Sequence, residues 1–246
     1  MDTSSVFTRE QVIELVLTKG VVLNRADFRG LDLSDINFNE AEICNSDFSG
    51  ANLSRANLSR TNAIGANFSK ANLMEANLSH ALFIYANFRD ANLNKAIMID
   101  LYVDFSNMKG ANLSGANLQM ASLCGAILNE ANIGNANLYK AILRKAHLKR
   151  SNLQESNLIM ADLCKANFRA ANLSGANLSE ANLRCANLHF ANFLNTNLTK
   201  TIFSRASLLY IKNAPLPLKY IIIKRIYIVI IIAMFLLFAI ILMTNN

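Results

Sequence analysis

The chain has little of what a catalytic or metal centre is built from. Its three histidines, His80, His147 and His189, are scattered, and no two stand at metal-ligand spacing. Each reads as a surface substitution. Cys44, Cys124, Cys164 and Cys185 contain no C-x-x-C pair, which suits a reducing compartment. No G-x-G-x-x-G, G-x-S-x-G or P-loop pattern occurs, and the carboxylates are isolated from one another. Catalysis needs convergent groups, so no catalytic residue, cofactor or metal is assigned and the chain reads as non-enzymatic. The only two prolines, Pro215 and Pro217, fall late in the sequence. An Arg-rich or apolar N-terminal leader is missing, so a secretory signal is not expected.

What is present is a period of five. From Leu23 to Leu208 every fifth residue is apolar, nearly always Leu or Phe, and Ala63 is the only small one. Around that centre the chain repeats Ala-Asn-Leu, as at Ala51-Asn52-Leu53, Ala116-Asn117-Leu118 and Ala171-Asn172-Leu173. Val21 to Tyr210 holds 38 consecutive units. Five fits neither a 3.6-residue helix nor a 2-residue strand, so the period describes a coil that advances by stacking. The centre residue fills a large apolar pocket and the Ala two before it a small one. The Asn between them, replaced by Asp at Asp27, Asp32, Asp47 and Asp162, must point outward, because an unpaired amide in a dry core costs about 1–3 kcal/mol.

These residues make the chain resemble the pentapeptide-repeat family, whose motif is A-(D/N)-L-x-x. The resemblance implies an all-β solenoid, a right-handed quadrilateral β-helix in which four pentapeptides form one square coil of twenty residues. With ~4.8 Å between stacked backbones, about 9.5 coils make a rod on the order of 45 Å long. Positions twenty apart then lie above one another. One inner column begins Phe28, Phe48, Phe68, Phe88; another begins Leu33, Leu53, Leu73. Ala63 sits beneath Phe83, a ring beside a gap, as constant core volume requires. Cys44, Cys124 and Cys164 share an outward column, but the nearest two are separated by two coils, roughly 10 Å and beyond disulfide reach.

Both ends depart from the repeat. Thr8-Arg9-Glu10-Gln11 fits a capping box, Val12, Leu15 and Val16 share a helical face, and Gly20 marks a stop. A short helix over 9–19 is expected to cover the first coil. At the other end, Ile226 to Met243 runs for eighteen residues without a charge. At 1.5 Å per residue that is about 27 Å, close to a bilayer's hydrocarbon thickness. The competing reading is a helix docked on the last coil, though no polar face is visible. With Lys219, Lys224 and Arg225 flanking it on the repeat side, the positive-inside rule gives a single-pass tail anchor with the rod in the cytoplasm. The expected domains are a capping helix at 1–20, the repeat β-helix at 21–210, a Pro-containing linker at 211–219 and a membrane anchor at 220–246.

The formal net charge is +7. Within the rod, Lys140, Arg144, Lys145, Lys149 and Arg150 form a basic cluster that rings about one coil across three sides. It reads as a solvated surface or a contact for anionic lipid or an acidic protein. Nucleic acid is disfavoured, because the charges wrap the rod and make no stripe along it. Ile64, Leu82, Ile84, Tyr85, Tyr102 and Phe105 break the pattern on one side over three adjacent coils. They are either an interaction surface for another protein or a second copy of the rod, or corner packing that hides part of them. The resemblance also implies an alternative, gyrase binding by DNA mimicry. That role needs an acidic face, and this rod is mildly basic. The favoured reading is a membrane-anchored scaffold that displays a rigid rod for protein contact.

Overall fold

The computed structural model describes residues 7–17 and 20–244, with side chains set aside at positions 217, 224–225 and 235–244. Parallel bridges pair residue with residue from Val22↔Glu42 to Asn192↔Lys212, every partner twenty positions away. The coil therefore has four sides of five residues. The straight part of each side is too short for a conventional strand, so the sheet is made by stacking. Leu33 N donates to Asn52 O at 2.6 Å, and Asn52 N donates down to Leu31 O at 2.8 Å. Each side ends in a tight turn, as where Ala56 N donates to Leu53 O at 3.0 Å.

The turn has a backbone requirement that composition conceals. All 38 residues from 25 to 210 in steps of five have positive φ, and 31 of them are not glycine. Positive φ confined to the second central residue is the type II signature, and a non-glycine residue there carries strain of order 1 kcal/mol. Lys, Arg, Glu and even Phe accept it because the side chain points clear of the coil.

Inside, the columns form one continuous core from Val12 to Leu218. Phe28, Phe48, Phe68 and Phe88 stack with ring centroids 4.6, 4.7 and 5.2 Å apart. Phe83, above Ala63, tilts against Phe68 and Phe88 at 5.4 and 5.3 Å. Where Ser or Thr replaces the small Ala, the buried hydroxyl mostly donates to a carbonyl, as Ser46 does to Leu23 O and Thr61 to Phe38 O, although that of Ser106 finds no partner.

The Asn between the pockets is more than an outward-pointing polar residue. Its Oδ1 accepts from the backbone N–H two residues on, and its Nδ2 donates to the Oδ1 of the coil below. On one side this runs unbroken from Asn52 onto Asp32 at 2.9 Å up to Asn213 onto Asn192 at 2.8 Å. The ladder has a polarity, because donors always point toward the N-terminus. That explains the four Asp. A carboxylate can receive from above but cannot donate below, and each of these Asp stands where no Asn lies beneath. Asp32 and Asp27 are in the first coils, Asp47 lies over Asp27, and Asp162 lies over Ile142.

α1 (Arg9–Val16) carries the expected capping box, with Thr8 and Gln11 bonded reciprocally. Val12 is fully buried and Phe7 stacks on Phe28 at 5.2 Å. α1 ends three residues before Lys19, which lies outside the described residues. Arg9 donates to Asp32 O and Ser34 O. In every later coil those carbonyl positions accept from backbone N–H groups below, so the guanidinium stands in for a coil that is not there.

α2 (Leu216–Thr244) begins inside the segment expected as linker. Pro215 O accepts from Leu218 and Lys219, and Pro217 falls in the first turn, where its missing N–H costs nothing. Leu218 is fully buried, and Ile221 and Ile222 pack on the core. The first turns thus cover the upper end of the rod, in line with the docked-helix alternative. Among the described residues no helix is long and apolar enough to cross a membrane. Residues 226–243 fall within α2, but the membrane span expected there is not shown by the described residues, which leave out the side chains of the flanking Lys224 and Arg225 and those beyond Met234.

Candidate interaction surfaces

The side that carries positions 82 and 102 lacks an intact ladder. Leu82 bridges Tyr102 in the next coil, and Ile142 and Ile202 stand higher in the same column. Leu82 is 36 % exposed, Tyr102 51 %, Tyr85 65 % and Phe105 55 %. Tyr85 and Phe105 project from adjacent turns and stack at 5.5 Å, and the Phe105 ring lies over Gly125, where a Cβ would sit 2.7 Å from it. Ile64 and Ile84 are only half-buried at the neighbouring turn positions. The six residues therefore do come together on one side and its corner. This arrangement leaves a group without a partner: Asn62 Oδ1 is buried and unbonded, accepting neither from the backbone N–H two residues on nor from Leu82 above, which has no side-chain donor.

The five cations of the basic cluster stand on three successive corners of one coil, the partial ring that the sequence suggested. Lys140 lies on a separate corner, above the ring of Tyr139 at 5.2 Å. Arg144 and Lys145 lie on one edge of a side, and Lys149 and Arg150 on its other edge. The coils above continue both edges with Lys165, Arg169, Arg184 and Arg205. Over residues 144–150, 164–170, 184–190 and 204–210 that side holds eight cations and no carboxylate. Lower on the same side, five cations face five carboxylates. Besides wrapping one coil, the charges form a stripe along the rod, and the expectation that they make none is corrected. Counting within one coil hid the stripe; the column spacing of twenty reveals it.

Arg144 reaches Asp162 on the next side, and that hydrogen bond raises its already high pKa. Among the described residues the other seven have no carboxylate at ion-pair distance. The N-terminal coils instead pair their charges between coils, as Arg55 does with Asp35 at 2.7 Å. That contact holds the Asp35 carboxyl below its usual range. Aromatic residues close the upper end of the stripe: Phe190 and Tyr210 stack at 5.2 Å, with Arg169 over Phe190 at 5.5 Å.

The remaining polar side chains stay dispersed. Cys44, Cys124, Cys164 and Cys185 are all free and half-buried. His80 faces Asp100 at 3.7 Å, and His189 bonds the Ser207 hydroxyl. No group of three His, Cys, Asp or Glu able to hold a metal occurs among the described residues. The concave places are open, such as the depression between α1 and the first coils lined by Arg9, Ile13, Asp35 and Ile36.

A core of stacked pentapeptides with surfaces rather than a cleft defines a solenoid repeat protein. The chain belongs to the pentapeptide-repeat family: the family profile "Pentapeptide repeats" matches in eight copies, over residues 22–60, 45–79, 71–101, 106–144, 131–169 and 171–208. Among solved structures the chain is similar to HetL of the cyanobacterium Nostoc, a pentapeptide repeat protein involved in regulating heterocyst differentiation. Identity is 28 %, coverage 82 % of this chain and 95 % of HetL, and the TM-score 0.56. It also matches QnrB1, a plasmid-mediated fluoroquinolone resistance protein, at 24 % identity, 82 % and 96 % coverage and a TM-score of 0.39. No curated protein sequence matches the chain significantly.

Proposed function

We propose that the chain is a non-enzymatic scaffold whose rod binds a protein partner through the side bearing Leu82 and Tyr102 and the corner bearing Tyr85 and Phe105. One observation carries this reading. Leu82 leaves Asn62 Oδ1 buried without a hydrogen bond, a defect costing about 1–3 kcal/mol that an Asn would repair. Exposed apolar residues held at the expense of stability fit a contact surface. The DNA-mimic alternative is disfavoured, since it needs an acidic face and the rod's strongest charge feature is basic.

The second part of the proposal is that α2 attaches the rod to a membrane, with the rod on the cytoplasmic side. Its support is that Ile223, Ile226, Tyr227, Ile228, Val229 and Ile230 are all about half exposed or more. Consecutive residues cover every face of a helix, so no docking on the rod hides them. The basic residues Lys212 and Lys219 at the rod end favour the stated side.

Two experiments test this. A photo-crosslinking residue at position 85, exposed on the same corner, should trap a partner that one at position 112 does not, and Leu82→Asn with Tyr102→Asn should abolish the adduct without lowering the melting temperature. If the double variant keeps every partner of the parent, the contact reading is wrong. For attachment, the chain should sediment with membranes and lose that property without residues 220–246; a wholly soluble parent chain would refute it.

A further inference from the structure

The basic stripe has no structural task within the rod. Its cations neither pair between coils, Arg144 excepted, nor cover the ends, and like charges stacked along a column repel one another. They are also confined to the coils next to α2. We propose that this side, with Lys145, Lys149, Lys165, Arg169, Arg184 and Arg205 as its main cations, lies against an anionic lipid surface. The rod's C-terminal half would then rest along the bilayer.

Charge complementarity alone fits any polyanion. The choice of a membrane rests on the attachment through α2 proposed above, and three features on the page favour it. The stripe occupies the half of the rod from which α2 leaves. It ends at Phe190 and Tyr210, exposed stacked rings of the kind that sit at the headgroup level. Finally, its cations line both edges of one flat side, so they can meet headgroups together. Near an anionic leaflet each cation contributes about fivefold in affinity, which makes a side of this charge sufficient to orient the rod.

The chain contains no tryptophan, so Phe190→Trp supplies a single reporter at the edge of the stripe and Tyr139→Trp one at a corner of the opposite side, half a coil away. The full chain carrying each is mixed with vesicles of brominated phosphatidylcholine, alone or with about one third phosphatidylserine. The Phe190→Trp emission should be quenched only with phosphatidylserine, and the quenching should vanish at about 1 M salt. Tyr139→Trp should be unaffected. Adding Lys165→Glu and Arg184→Glu should weaken the quenching titration by at least about twentyfold.

An unquenched Phe190→Trp, or quenching that ignores lipid charge or the two reversals, overturns the proposal. So does tighter binding to a DNA duplex than to the anionic vesicles. Flotation with pure phosphatidylcholine reads attachment through α2 separately, so either idea can fail without the other.

Discussion

The polarity of the asparagine ladder gives one chemical change opposite effects at equivalent positions. Asn112 sits mid-ladder: its Nδ2 donates to Asn92 Oδ1 at 3.2 Å, and its Oδ1 accepts from Asn132 Nδ2 at 3.3 Å and from Ser114 N at 3.2 Å. Asn112→Asp keeps the acceptor and removes the donor. Asn92 Oδ1 then faces a carboxylate oxygen across a part-buried contact, a loss of about 1–3 kcal/mol. Asp47 is the mirror case. It receives Asn67 Nδ2 at 2.9 Å and lies directly over Asp27. Asp47→Asn keeps that bond, supplies a donor to Asp27 and removes one of two stacked negative charges, a gain of up to about 1 kcal/mol. For a chain of this size 1 kcal/mol moves the melting temperature by about 2–4 °C. Asn112→Asp should therefore melt about 3–10 °C lower, and Asp47→Asn unchanged or up to about 3 °C higher, by circular dichroism on the full chain at neutral pH. Shifts of the same sign and size would refute the directional ladder.

Three further outcomes are expected. Leu118→Lys places an ammonium in the fully buried core and should cost more than about 4 kcal/mol. Asn117→Lys next to it loses only the bonds from Asn137 and Gln119, about 1–2 kcal/mol, so thermal shifts of equal size would contradict the inward–outward assignment. Leu82→Asn should raise the melting temperature by up to about 3–10 °C by giving Asn62 Oδ1 its missing donor. Met120→Gly, at an exposed turn with φ of 60°, should be neutral or stabilising by up to about 1 kcal/mol, unlike glycine placed in most other structures; clear destabilisation by chemical denaturation would show that the turn is unstrained.

The columns and the capping box were legible because each depends on residue type at fixed spacing. Phe28 over Phe48, Ala63 beneath Phe83 and Thr8 with Gln11 all stand where the spacing placed them. The ladder's direction was written in the positions of Asp27, Asp32, Asp47 and Asp162. It stayed hidden because the direction in which an amide donates along the stack is a three-dimensional fact. The left-handed turns were hidden for another reason: 31 of the 38 residues there carry side chains, so glycine did not mark them. The apolar corner emerged from comparing residues twenty apart. The basic stripe was missed where Lys140 to Arg150 were compared along the chain and not along the rod. The start of α2 was read as linker because prolines suggest a break, whereas Pro215 and Pro217 here open a helix.

A coil of four equal sides also makes length and direction separable. Removing twenty residues would shorten the rod and leave every later side facing as before. Removing five would turn everything beyond the cut by a quarter revolution, swinging the cation-rich side away from the corner of Tyr85 and Phe105 while the core stays in phase. For a rod of this kind, insertions and deletions in multiples of five are a rotary adjustment, through which descendants of one sequence can aim two binding surfaces at different bearings without redesigning either.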